Sequence, residues 1–298
     1  MLLPLLSEAD PKNSVEGSID PLGLYATADA LAVRLIPGVR ERQAHPRFLT
    51  SIAVSLAVCA DFPEETLARD GVSEPWQVFE WTFVEGMVRT AEDPSQLRGL
   101  PGQDKARRAI SDKAHLCARR YLKNPMVFGF HGVYRILARD MEVERADKLG
   151  DFGFQLVSTW EKEQGLSGFV GTGGGPGKDV RRQLQDAVRD GVEKGTVGRF
   201  GGWDGFHFFP RHLDIRGAGR KESRLIAQRL RDHSGGFRSD VLNCLTSPSG
   251  QELWSREREG KSLSERHFHE FLSKAAGARL KELLNGIRTY EQFSRLLQ

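Results

Sequence analysis

Apolar residues recur at helical spacing along most of the chain. Leu24, Ala28, Leu31 and Leu35 share one face, which predicts a helix over 24–35, and Ile36-Pro37-Gly38 stops it. The apolar run Leu49 to Ala60 is broken by Thr50, Ser51 and Ser55. It therefore reads as a buried helix beginning at Pro46 or Arg47, since a membrane span needs ~18–20 apolar residues. A third helix is expected from Glu74 to Thr90, with Pro75 in its first turn, where a missing N–H costs nothing. Its Trp76, Phe79, Phe83, Val84 and Met87 form a wide apolar stripe. Arg98-Gly99-Leu100-Pro101-Gly102 then reads as a boundary.

Beyond it, Asp104 is expected to cap a helix running to Lys123. Ala106, Ile110, Ala114, Cys117 and Tyr121 form its inner face, and Lys105, Arg107, Arg108, Lys113, Arg119, Arg120 and Lys123 supply the rest. Asn124-Pro125 ends it. A short apolar piece, Met126–Phe130, leads to a helix from His131 or Gly132 to about Met141, with Val133, Ile136 and Leu137 inward. Residues 142–150 suit a small hairpin, and Asp151–Gln164 a helix with Phe154, Val157 and Trp160 at core spacing. After a glycine-rich loop, Gly165–Lys178, Asp179 caps a helix to Lys194 with Val180, Leu184, Val188 and Val192 on one stripe, ended by Gly195. Thr196–Phe200 and Phe206–Phe209, joined by Gly201-Gly202-Trp203-Asp204-Gly205, read as a second hairpin. Helices follow over Lys221–His233, Arg238–Leu245, Gln251–Glu259 and Glu265–Leu284, the last capped by Ser264, and Thr289–Leu297 closes the sequence. The expected fold class is mainly α. Helical domains at 1–98 and 217–298 flank two smaller units, 99–165 and 166–216, each carrying a short hairpin.

Composition adds an asymmetry to this layout. The 298 residues are 39% hydrophobic and 28% charged with a net charge of +3, values of a folded protein. Residues 1–97 hold 7 Lys/Arg against 15 Asp/Glu, whereas residues 98–238 hold 27 against 17. A basic middle beside an acidic end suits a module that faces a polyanion attached to one that faces protein. Cys59, Cys117 and Cys244 lie far apart without ligand spacing, which argues against disulfides and a cysteine zinc site and fits a reducing cytoplasm. Met1-Leu2-Leu3-Pro4-Leu5-Leu6 lacks a positive flank and is followed by acids, unlike a secretory signal. Ser7 to Ser18 reads as a loose polar arm.

Candidate chemistry is sparse. Gly171-Thr172-Gly173-Gly174-Gly175-Pro176-Gly177-Lys178-Asp179 imitates a phosphate loop. Its first required glycine falls on Thr172, however, and Asp179 replaces the magnesium-binding hydroxyl. A loop before a capped helix explains it better, with a phosphate contact at the helix start as the other reading. His207 and His212, and His267 and His269, lack the third converging ligand a metal site needs. Asp204 and His207 can be drawn as an acid–base pair, but a turn aspartate beside an exposed histidine is simpler. These absences lead us to expect no cofactor, no metal and no catalysis.

The order helix, short helix, helix, hairpin, helix over Asp104 to Gln164 resembles that of winged helix-turn-helix regulators. Leu149-Gly150-Asp151-Phe152-Gly153 stands where those proteins place the second wing strand and the turn into the last helix. On this resemblance the groove helix is His131–Met141, offering His131, Tyr134, Arg135 and Arg139. The second unit offers Lys178, Arg181, Arg182, Arg189 and Arg199. Separately, Pro21-Leu22-Gly23, Ile36-Pro37-Gly38-Val39 and Arg47-Phe48-Leu49 resemble the opening of uncharacterised bacterial proteins encoded among phage-defence genes, which implies a setting but no mechanism. The expectation is a bacterial, cytoplasmic protein that binds duplex DNA through its backbone, alone or as the DNA-engaging subunit of a defence assembly. The acidic N-terminal and C-terminal helical domains would meet protein partners or a second copy, with no membrane involved. The alternative is a scaffold whose winged helices pair only with proteins.

Overall fold

The computed structural model describes residues 22–40, 42–199, 203–232, 236–258 and 265–296. The expected arm at 7–18, the turn before Leu22, the cap Ser264 and the hairpin residues 200–202 lie outside them. Among the described residues the fold is mainly α, with α1 (Leu24–Leu35), α2 (Arg47–Cys59), α3 (Pro75–Thr90), α4 (Gln103–Ser111), α5 (Pro125–Phe128) and α6 (Phe130–Asp140) in chain order. A hairpin of β1 (Glu144–Arg145) and β2 (Lys148–Leu149) precedes α7 (Asp151–Glu163), α8 (Pro176–Lys194), α9 (Phe208–Leu213) and α10 (Arg220–Asp232). The last helices are α11 (Arg238–Thr246), α12 (Pro248–Arg258), α13 (Glu265–Ala275) and α14 (Ala278–Leu296). No helix among the described residues is long and apolar enough to cross a membrane.

Packing divides the chain into two compact units, one spanning Gly38–Gly235 and the other combining Met1–Pro37 with Gly236–Gln298. The expected boundaries at 98, 165 and 216 all fall inside the first. Within the second, Val241, Cys244, Leu272, Leu280 and Leu284 form the core, and Tyr290 Oη donates to the Leu24 carbonyl at 2.8 Å. The single helix expected over Glu265–Leu284 is broken at Ala276-Gly277, after which α14 begins.

The larger unit is built around α2, which is buried from Arg47 to Val58. A helix apolar all round belongs at the centre of a domain. α3 is equally enclosed, burying Phe79, Trp81, Phe83, Val84 and Met87 together with Glu80 and Glu85. The small hairpin forms as expected, in the register Glu144↔Leu149 and Arg145↔Lys148. Its two-residue turn, Ala146-Asp147, has φ of 49° and 59°, the positive values that a tight hairpin of this twist requires.

Three expectations need correction. The helix from Asp104 stops at Ser111, where Lys113 adopts φ 53°. The Ala114 N–H then bonds to the Ala109 carbonyl and the Lys113 N–H to that of Ile110, the pattern of a left-handed helix stop that usually carries glycine. Lys113→Gly is therefore expected to stabilise the protein by about 0.5–1 kcal/mol in urea unfolding. Destabilisation of that size would mean that the helix continues. Second, Phe206–Phe209 is helical, running from a 3-10 turn (Asp204–His207) into α9, so the second unit lacks its hairpin among the described residues. The cause is Gly86 of α3: an added Cβ there would lie 2.7 Å from the Phe209 ring and 3.0 Å from that of Phe206. Both rings reach this notch because 206 and 209 share a helix face. Third, Phe154 and Ile136 are exposed rather than inward.

Candidate nucleic-acid interface

After α4 the chain runs back along α3 in irregular form, held by two buried carboxylates. Glu85 accepts the Leu116 N–H at 2.7 Å and pairs with His115 Nδ1 at 2.6 Å and Arg89 Nε at 2.8 Å. One and a half turns earlier, Glu80 accepts Tyr121 Oη at 2.7 Å and the His131 N–H at 3.0 Å. Burial pushes the Glu80 carboxyl up to about 7, against the pull of those hydrogen bonds. Tyr121 sits against Gly102, where a Cβ would strike its ring. Two carboxylates, with the Val197 N–H and Thr196 Oγ1 on the Leu116 carbonyl and a single turn closed on the Cys117 carbonyl, therefore fix residues 113–123 outside any helix, leaving the long side chains between the anchors outside.

Residues 98–123 contain eight Lys/Arg against two Asp/Glu. Arg98, Lys105, Arg107, Arg108, Lys113, Arg119, Arg120 and Lys123 are all exposed. Only Arg107 has a carboxylate partner among the described residues, Asp104 at 3.1 Å. Like charges gathered on so short a segment raise the local potential and attract polyanions.

The groove helix expected at 131–141 is turned otherwise. His131 and Tyr134 are core residues, a correction to their expected groove-facing positions. His131 stacks on Trp76 with ring centres 4.7 Å apart, and burial lowers its pKa to about 3. Tyr134 Oη accepts the His45 N–H at 2.9 Å. Arg135 reaches Asp147 at 2.5 Å and Arg139 reaches Glu144 at 2.8 Å. Glu144 is almost fully buried, so these arginines are held by the hairpin and are not free for phosphate. The cause is rotation: α6 buries Phe130, His131, Tyr134, Leu137 and Ala138, whereas its apolar spacing suggests Val133, Ile136 and Leu137.

On α8 the expected cations are outward, with Lys178, Arg182 and Arg189 exposed and Arg181 half-buried. Arg182 pairs with Asp179 at 3.2 Å and Arg189 with Asp186 at 2.8 Å. Exposed pairs of this kind contribute about 0.3–0.5 kcal/mol, too little to resist exchange for a phosphate. Arg199 lies 5.8 Å from the Trp203 ring centre. α8 begins at Pro176, three residues before the expected cap Asp179, with Gly175 at its cap position.

Asp204 and His207 are exposed on one 3-10 turn and line two clefts, of about 410 and 730 Å³. The larger cleft also carries Arg89 and Arg107. His212 is partly buried, its Nδ1 3.1 Å from Gln164 Oε1, and His269 lies 3.3 Å from Glu291. Among the described residues no three His, Cys, Asp or Glu side chains converge as metal ligands. The signal that sequence reasoning passes over is the unbalanced charge of residues 98–123, because a long helix would spread those cations around its circumference. Comparison with protein-family models, with curated proteins and with solved structures finds no match for this chain.

Proposed function

We propose that this chain binds duplex DNA through the phosphate backbone without acting on it chemically, with residues 98–123 as the principal contact. The observation that carries this reading is the set of exposed cations at 98–123, nearly all without carboxylate partners, of which those from 113 to 123 stand on a segment that Glu80 and Glu85 tie to α3. A polyanion gains most from cations that no carboxylate already holds and that lose little freedom on binding. Lys178, Arg181, Arg182 and Arg189 extend the contact, whereas His131, Tyr134, Arg135 and Arg139 support the fold beneath it. Residues 104–164, in the order α4, α5, α6, hairpin, α7, serve as the winged-helix unit on this reading. The resemblance of the N-terminal residues suits a bacterial defence setting for this binding, with the chain acting alone or as the DNA-engaging subunit of an assembly.

Fluorescence anisotropy with a labelled duplex tests this. Affinity is expected to fall steeply with salt, log K changing by about 0.9 per log unit of salt for each phosphate neutralised. Combining Arg119→Glu, Arg120→Glu and Lys123→Glu should weaken binding by more than about tenfold and flatten that slope. Arg139→Gln, which removes a cation already held by Glu144, should leave affinity within about twofold. Absence of binding at low salt, or insensitivity to the triple reversal, would overturn the proposal.

A further inference from the structure

Immediately beyond Lys123 the chain places three large apolar side chains in water. Met126, Val127 and Phe128, consecutive residues of α5, are 41%, 48% and 39% exposed. They do not belong to a loose end. A Cβ at Gly132 would collide with the backbone of Pro125 and Met126, and one at Gly129 with the Glu80 carboxylate and the Pro125 carbonyl. Both glycines let the backbone of α5 lie flush on the start of α6, which leaves its side chains nowhere to point but outward. Cations grip two of the three: the Arg42 guanidinium lies 5.1 Å from the Phe128 ring centre, and Arg135 Nη1 lies 3.5 Å from Met126 Sδ. Arg42 is exposed and has no carboxylate partner among the described residues.

We infer that α5 is a wedge that enters the base stack of duplex DNA. Phe128 and Met126 separate two stacked base pairs while Arg42 and Lys123 hold the flanking phosphates. This inference rests on the DNA-binding reading above and adds a mode of engagement to it. Size selects the occupant. A protein partner needs roughly 800 Å² from each side, more than three half-exposed side chains offer. A bilayer needs an extended amphipathic face to hold a protein at its surface, and a four-residue helix has none. A wedge needs only one or two apolar side chains and a positive surround.

Opening a base step untwists the duplex, so the readout is DNA topology. Closed circular plasmid is relaxed by a topoisomerase in the presence of the full chain, then freed of protein. The native protein is expected to leave the plasmid negatively supercoiled, increasingly so with concentration. Met126→Ala with Phe128→Ala, both on exposed positions, should leave the plasmid fully relaxed at protein concentrations that saturate the duplex. If the native protein binds but leaves it relaxed, or if the double variant still supercoils it, the wedge is wrong and the backbone reading stands. If nothing binds at low salt, both fail. Co-sedimentation with phosphatidylserine vesicles that is lost in Phe128→Ala, in place of any topological effect, would overturn the wedge in favour of a lipid surface.

Discussion

Replacing Arg47 by alanine is expected to destabilise the larger unit by about 3–5 kcal/mol. Arg47 opens α2 at 2% exposure and lies 2.7 Å from Glu222, which is fully buried at the start of α10. Its guanidinium also donates to the carbonyls of Gly217, at 2.8 Å, and His212, at 2.5 Å. Glu222 in turn accepts Thr50 Oγ1 at 2.5 Å and the Gly219 N–H at 3.2 Å. Burial works against both charges, lowering the arginine's pKa and raising the carboxylate's. Alanine would leave the carboxylate buried without a cation and the Gly217 carbonyl without this donor. The His212 carbonyl keeps the Trp160 N–H at 2.7 Å. Removing both charges by Arg47→Met with Glu222→Met should recover part of the loss, because no unpaired charge stays buried, although Thr50 Oγ1 and the Gly219 N–H lose their acceptor. Urea unfolding decides between these outcomes. A single-variant loss under about 1 kcal/mol, or a double variant no better than the single, would show that the pair does not clamp α2 to α10.

Where one periodicity dominates, the fold is legible in the sequence. α1, α2 and α3 lie within a residue or so of expectation because each has a continuous apolar pattern with proline or glycine at one end. The small hairpin and α7 are equally visible, and Gly195 ends α8 as expected, with φ 69°. The failures have physical causes. The end of α4 carries lysine where the left-handed position usually selects glycine, so no residue announces it. The hairpin expected at 196–209 rests on alternation around a glycine-rich turn. The same phenylalanines also fit a helix face, and only the notch at Gly86 of α3 decides between the two. The candidate site moves for a related reason. On α6 an aromatic residue with a polar tip, Tyr134, takes the core position, and the helix is rotated so that Arg135 and Arg139 meet the hairpin's carboxylates. Composition locates the surplus of charge in the middle of the chain. Which cations are free depends on pairings between segments that no local pattern records.

Replacing Glu80 by glutamine should change the pH dependence of stability in a definite direction. The Glu80 carboxyl, ordinarily near 4.5, titrates at about 7 in the folded chain because it is buried without a cation. The folded state therefore holds this proton more tightly than the unfolded one. The stability it contributes is complete below pH 4.5 and is lost as pH rises through 7, about 3 kcal/mol in all. His131 acts in the opposite sense. Its ring is buried against Trp76 and its Nε2 has no hydrogen-bond partner, so its pKa falls from 6.5 to about 3. Its contribution is complete above pH 6.5 and is lost as pH falls toward 3, about 4–5 kcal/mol. Glu80 binds the backbone N–H of His131 itself, so one corner of the fold carries both dependences. Between pH 4.5 and 6.5 they offset one another, which predicts a plateau of stability there, falling on either side. Glu80→Gln removes one limb: its stability relative to the parent should climb from pH 4.5 to 7 and then level off. His131→Phe keeps an aromatic ring against Trp76 and should gain on the parent as pH drops below 6.5. Urea midpoints across pH separate the two limbs. Differences that stay flat with pH would show that both groups titrate as they do in water, and that residues 113–131 are not anchored by a desolvated carboxylate.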